Sequence, residues 1–166
     1  MLAEKAGAEL PKYQASDPGQ KENKDRVFAL LELATKFYEK QLWDGVGKDQ
    51  ILAYLRGRGL TDESIRTFRL GYAPDGWRHQ IEFFMSKGFT LAEMEQAGLV
   101  IKKSSESQAN SYQLKANSSS HYDRFRDRIM FPIFDIFGHT IGYSARVAPG
   151  GDESQAKYIN TPETAV

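Results

Sequence analysis

Lys157, Tyr158 and Asn160 stand together in the run KYIN, and Arg146 closes the run GYSAR shortly before it. A cation beside an aromatic ring is chemistry suited to a single-stranded nucleic acid: the cation meets a phosphate and the ring stacks on a base. Residues two apart in an extended chain face the same side, so Asn160 is expected on the side of Tyr158. Arg146 ends one candidate strand and Lys157 begins the next, so the loop between them can bring both charges to one spot. A loop-closing lysine and a core tyrosine account for the same spacing equally well.

Two further clusters carry cations. In YDRFRDR, Arg124, Arg126 and Arg128 alternate with Asp123, Phe125 and Asp127. In an extended segment the arginines then share one side, which reads equally as a solvated strand edge. Asp127 and Asp135 are available partners for Arg128, which reads as structural. In LRGRGL, Arg56 and Arg58 lie at a helix C-terminus, where cations complement the helix dipole. Gly57 and Gly59 beside them leave room for another backbone.

Catalytic machinery is not evident. His79, His121 and His139 lack ligand spacing, and there is no paired-carboxylate motif, nucleophile elbow or phosphate loop. Asp152, Glu153 and Glu163 read as surface charges rather than metal ligands. No catalytic residue is assigned. The 166 residues carry 22 Lys and Arg against 22 Asp and Glu, so there is no global basic field and any anion site must be local. Apolar residues make up 40%, enough for a core. With no cysteine, disulfides and thiolate zinc sites are excluded from this chain, which suits a reducing cytoplasm. No apolar run reaches the roughly 20 residues of a membrane helix, so no membrane partner is expected.

These residues need a scaffold. Residues 12–25 are polar and read as a linker. Helical periodicity predicts a helix over 26–43, capped by Asn23 or Asp25 and stopped by Gly45. Further helices are expected over 48–58 with Gly59 as left-handed terminator, over 62–70 capped by Thr61, over 78–87, and over 91–97 behind a Thr90/Glu93 capping box closed by Gly98. GYAPDGW between them reads as a turn. After Gly98 strands take over: 99–103, then a polar loop over 104–121 in which SYQLK could pair, then a hairpin of 127–136 and 140–147 joined through FGH, and a last strand at KYIN. Pro132 is expected at an edge or bulge. Helices first and sheet second make an α+β fold, an N-terminal helical part followed by an antiparallel or mixed sheet.

Four blocks, LAEKAGAELP, AYLRGRGLTDESIRTFRLGYAPDGW, YDRFRDRIMFPIFDIFGHTIGYSARV and AKYINTPET, occur in this order. Through them the chain resembles the bacterial DnaG-type DNA primase family over nearly its whole length. The resemblance implies the N-terminal lobe of the primase catalytic core: residues 1–22 as a linker following an absent zinc-binding domain, 23–99 as the helical part and 100–166 as the β-rich part, with the Toprim lobe not present. It implies an RNA polymerase that makes short primers on single-stranded DNA, with this fragment inactive alone. Mg²⁺ would belong to the Toprim lobe and Zn²⁺ to the zinc-binding domain, with no cofactor in this chain. Ribonucleotides, and a replicative helicase docking through another domain, are the further partners implied. The family's template groove maps onto Arg58, Arg124, Arg126, Arg146, Lys157, Tyr158 and Asn160. Where the family has two glycines before the groove arginine, this chain has Ser144 and Ala145, which give up freedom at positive φ.

Two rival readings remain. One is a non-catalytic single-strand-binding module, a natural short protein, distinguished by whether the reading frame continues past Val166. The other is a structural lobe whose arginines serve internal salt bridges.

Overall fold

The computed structural model describes residues 18–103, 120–152, 154–164 and 166. Helix α1 (Pro18–Trp43) runs past the sheet, and its buried stripe Val27, Leu30, Leu31, Ala34, Phe37 and Tyr38 meets Met130, Tyr143 and Ala145 of the sheet face. The stripe's spacing is what the sequence predicts, but the helix starts at Pro18, so residues 18–25, read as linker, are helical and neither Asn23 nor Asp25 is its cap. Their polar side chains are mostly exposed. Apolar periodicity signals only helix turns that pack, and this first stretch packs on little. Residues 12–17 lie outside the described residues.

Helices α2 (Gln50–Gly57) and α3 (Asp62–Thr67) follow. Thr61 caps α3 by accepting from the Ser64 amide, and Gly59 has φ 88°. The third helix is shorter than expected: Arg69 takes φ 52° and GYA, expected as turn, forms strand β1 (Gly71–Ala73). All three of its residues are buried, so no alternation marked it. A Cβ at Gly71 would overlap Tyr38, which is how β1 lies so close to α1. Helices α4 (His79–Ser86) and α5 (Leu91–Gln96) match their predicted spans, and the Thr90/Glu93 capping box is complete.

Strands β2 (Val100–Lys102) and β3 (His121–Asp123) form a small antiparallel pair. The predicted loop therefore ends before His121, and SYQLK lies outside the described residues. Strands β4 (Arg128–Phe134), β5 (Thr140–Val147) and β6 (Tyr158–Asn160) join β1 in an antiparallel sheet of order β1-β4-β5-β6. The α+β architecture and the hairpin are as expected. Pro132 lies beyond the reach of β1, which pairs only with Arg128–Met130, and next to a register shift at Ile133/Phe134. Its missing N–H therefore costs no ladder bond on that edge.

The sheet has a core on each side. Met130 and Ala145 face α1, while Ile129 packs with Leu42, Leu52, Leu55, Ile65 and Tyr72 beneath α2 and α3. Part of that second face, toward β6, carries the polar residues described next.

Candidate nucleic-acid interface

The register of β5 with β6 sets Arg146 opposite Tyr158 and Ser144 opposite Asn160. Directly opposed residues of antiparallel strands share a face, so these four side chains line one surface. Tyr158 is 54% exposed, and Asn160 is exposed beside it. Helix α2 closes the surface from the side. Its Tyr54 places a ring 5.5 Å from the Arg146 guanidinium, and the Tyr158 ring lies 5.9 Å away. Arg146 thus lies within cation–π range of two rings.

Two cavities open here. One of about 390 Å³ is lined by Tyr54, Arg146, Lys157, Gln155 and the loop after β5. The other, about 230 Å³, has Leu55, Leu60, Ile129 and Phe131 in its walls, with Tyr54, Arg58 and Arg146. Arg58 caps the C-terminus of α2, and its amide donates to the Tyr54 carbonyl at 3.0 Å. Four residues apart on one helix, Tyr54 and Arg58 face the same way. Gln50 ties the loop down, donating to the Pro149 carbonyl at 3.1 Å.

Charge pairing separates these cations from Arg56, Arg26 and Arg69. Arg56 makes a two-pronged bond to Asp62 at 2.8 and 2.9 Å, which supports its structural reading. Arg26 pairs with Glu93 and Arg69 with Glu32 and Glu39. Among the described residues, Arg58, Arg146 and Lys157 have no carboxylate partner within 4 Å. Three uncompensated cations therefore border two adjoining cavities.

The arginines of YDRFRDR do not share one side. Burial alternates as expected through His121, Asp123 and Phe125, all inward. The pattern then breaks, because Asp127 takes φ 47° where the chain leaves the β2–β3 pair for the larger sheet. Arg126 stacks over Trp77 at 4.1 Å and near Tyr122 at 5.3 Å, and its guanidinium donates to the Asp123 carbonyl. It lines a third cavity, about 480 Å³, together with Trp77 and three aspartates, Asp75, Asp127 and Asp152. Val147, Gly150, Gly151 and Gln155 form a wall common to this cavity and that of Lys157. Arg124 lines none of these cavities. Its Nε is buried with no hydrogen-bond partner among the described residues, and desolvation lowers its pKa.

Arg128 is structural, but not through the expected aspartates. It is 3% exposed and donates to the Ala156 carbonyl at 3.0 Å and to Gln155 Oε1 at 3.2 Å. Asp127 instead accepts from the Tyr72 hydroxyl, and Asp135 from the Phe137 and His139 amides inside the hairpin turn. Ser144 and Ala145 sit in extended strand, neither at positive φ, so the two family glycines are not needed here for backbone freedom.

Sequence reasoning did not single out Tyr54 or Trp77. For Tyr54 a signal was present: it stands four residues ahead of Arg58 in a predicted helix. Trp77 lay in a stretch read only as turn.

The fold is an α+β lobe with a cationic corner where α2 meets β5 and β6. A family model for the N-terminal domain of the DNA primase catalytic core matches residues 37–166, and the chain belongs to that family. The DNA primase of Pseudomonas aeruginosa is 35% identical over 168 residues, covering 99% of this chain and 23% of that protein. The chain thus spans about a quarter of the length of the curated relatives it matches. The crystal structure of the RNA polymerase domain of Mycobacterium tuberculosis primase DnaG, in complex with a double-stranded DNA oligomer bearing a 6-nucleotide overhang, is similar. Its TM-score is 0.70 at 31% identity, over 84% of this chain and 39% of that one. A DnaG primase catalytic domain bound to single-stranded DNA matches with TM-score 0.69 at 30% identity, over 87% of this chain and 39% of that one.

Proposed function

We propose that this chain is the template-holding lobe of a DNA primase, which synthesises short RNA primers on single-stranded DNA. The strand lies across the β5–β6 corner, opposite the metal-bearing Toprim lobe. Arg58, Arg146 and Lys157 meet its phosphates, and Tyr158 stacks on a base with Asn160 beside it. Arg126 on Trp77 extends the track past the loop after β5, and Arg124 contributes to it from the β2–β3 side. The same cations can meet ribonucleotide phosphates. The replicative helicase docks elsewhere in the enzyme, which works in the cytoplasm.

The observation that carries this reading is the convergence of three cations without carboxylate partners beside two exposed or half-exposed tyrosines. The primase bound to single-stranded DNA supports it by similarity. Among the described residues no group of three His, Asp or Glu could hold a metal ion. In this reading the family's Mg²⁺ belongs to the Toprim lobe and its Zn²⁺ to the zinc-binding domain, and the work of this lobe is binding and orientation.

The test is a titration of single-stranded DNA against the intact protein at several salt concentrations. Removing one cation that neutralises a phosphate flattens the slope of log K against log salt by about 0.7. Arg146→Ala and Lys157→Ala are each expected to weaken binding and flatten the slope by that amount. Unchanged slopes in both variants would remove the groove from this corner.

A further inference from the structure

The cavity of about 230 Å³ between α2 and the sheet is not accounted for by phosphate binding. Half-buried Leu60 and Phe131 contribute its apolar walls above the buried Leu55 and Ile129, Tyr54 forms one side, and Arg58 and Arg146 complete the lining. A pocket for phosphate alone needs donors and no apolar wall. A pocket for a whole drug-sized ligand starts at roughly 300 Å³. This one is smaller, and its walls suit a flat, mostly apolar ring with a charged group at the edge. A nucleobase joined to a backbone phosphate has that form.

We propose that this cavity is a base-binding subsite: one nucleobase of the bound single strand turns in against Tyr54, and its flanking phosphates meet Arg58 and Arg146. The proposal rests on the template-holding reading above and adds a place where a base, not only the backbone, is bound. Tyr54 has two roles in it. Its ring is the stacking wall, and it also lies 5.5 Å from the Arg146 guanidinium. The Tyr158 ring lies 5.9 Å from the same guanidinium, so the strand would meet two rings near one cation. The side walls present π-faces and aliphatic carbons, so the subsite takes any base and reads no sequence.

The experiment compares two oligonucleotides of equal charge with the intact protein: a short thymidine strand and a strand of the same length made of abasic residues. Their affinity ratio isolates what bases contribute. Tyr54→Leu is expected to lower the ratio of thymidine-strand to abasic-strand affinity about tenfold while leaving the salt slope unchanged. Tyr54→Phe is expected to restore the thymidine affinity, and thermal melts of both variants check that the lobe is folded. If Tyr54→Leu weakens both strands equally, the ring only holds Arg146 and the subsite is overturned. An unchanged ratio overturns it too. The parent reading fails differently: the unsubstituted protein would then bind neither strand in a salt-dependent way.

Discussion

Arg69 and Arg146 are each a guanidinium within reach of a sheet, and they have opposite surroundings. Arg69 leaves the chain at φ 52° just before β1 and reaches back to α1. There it bonds Glu32 at 2.8 and 3.1 Å and Glu39 at 2.9 Å. The carboxylates raise its pKa, and it holds Glu32 below the usual carboxylate range. Its charge is neutralised inside the molecule, riveting the third helix region to the first. Arg146 has two tyrosine rings near it and no carboxylate among the described residues. Rings can orient a cation without neutralising it, so its field remains available to an anion outside. In a chain with no net charge, binding capacity depends on which cations the fold leaves uncompensated, not on how many there are.

Breaking the rivet should have the largest effect on stability. Arg69→Ala leaves Glu32 and Glu39 facing each other across a partly solvated gap. Fully buried pairs lose roughly 3–5 kcal/mol on such a change, and screening at a side chain one-quarter exposed reduces that to about 1–2 kcal/mol. Urea unfolding would show the loss, while the salt slope for single-stranded DNA stays as before. A flattened slope would mean that Arg69 also reaches the strand and that the two classes are not distinct.

Arg128 lies between the classes and sharpens the division. It is buried like a structural residue, yet what it holds is the Ala156 carbonyl and Gln155, next to Lys157. Arg128→Met leaves that carbonyl without its donor, at a cost of about 1 kcal/mol. Binding should weaken severalfold because Lys157 is less well placed, and Tm should fall slightly. Unaltered binding would show that the loop keeps its shape without Arg128.

How much of this was legible follows the same division. The helices over 78–87 and 91–97, the capping box at Thr90 and the 127–136/140–147 hairpin were readable because their signals are local: a period, a cap, a turn. The start of α1 was not, since its first turns pack on little and show no apolar period. Strand β1 is buried throughout and three residues long, so it left no alternation to find. At the candidate site, the facing of Arg146 and Tyr158 depends on the β5–β6 register, which a linear pattern only suggests. The pairing of Arg56 with Asp62 and the break at Asp127 that separates Arg128 from Arg124 and Arg126 are three-dimensional facts. The alternation of charges along YDRFRDR carried no hint of a left-handed residue inside it.

The smallest expected effect is on pH dependence, and it again concerns a cation neutralised within the fold. Arg26 bonds Glu93 at 2.6 Å, and the Thr90 amide donates to the same carboxylate at 2.7 Å. The arginine first, and the amide second, hold the Glu93 pKa down to about 2. A carboxyl whose pKa is lower folded than unfolded favours the fold while it is ionised in both states. That contribution is complete above the unfolded value of about 4.3 and drains away as pH falls toward the folded value. The melting temperature should therefore decline as acid is added between those two values, and Arg26→Ala should make this part of the decline shallower. Binding at neutral pH should not change, because Arg26 lines neither cavity at the β5–β6 corner. An Arg26→Ala protein whose acid profile overlays that of the unsubstituted chain would show that the capping box alone, without the arginine, keeps Glu93 ionised.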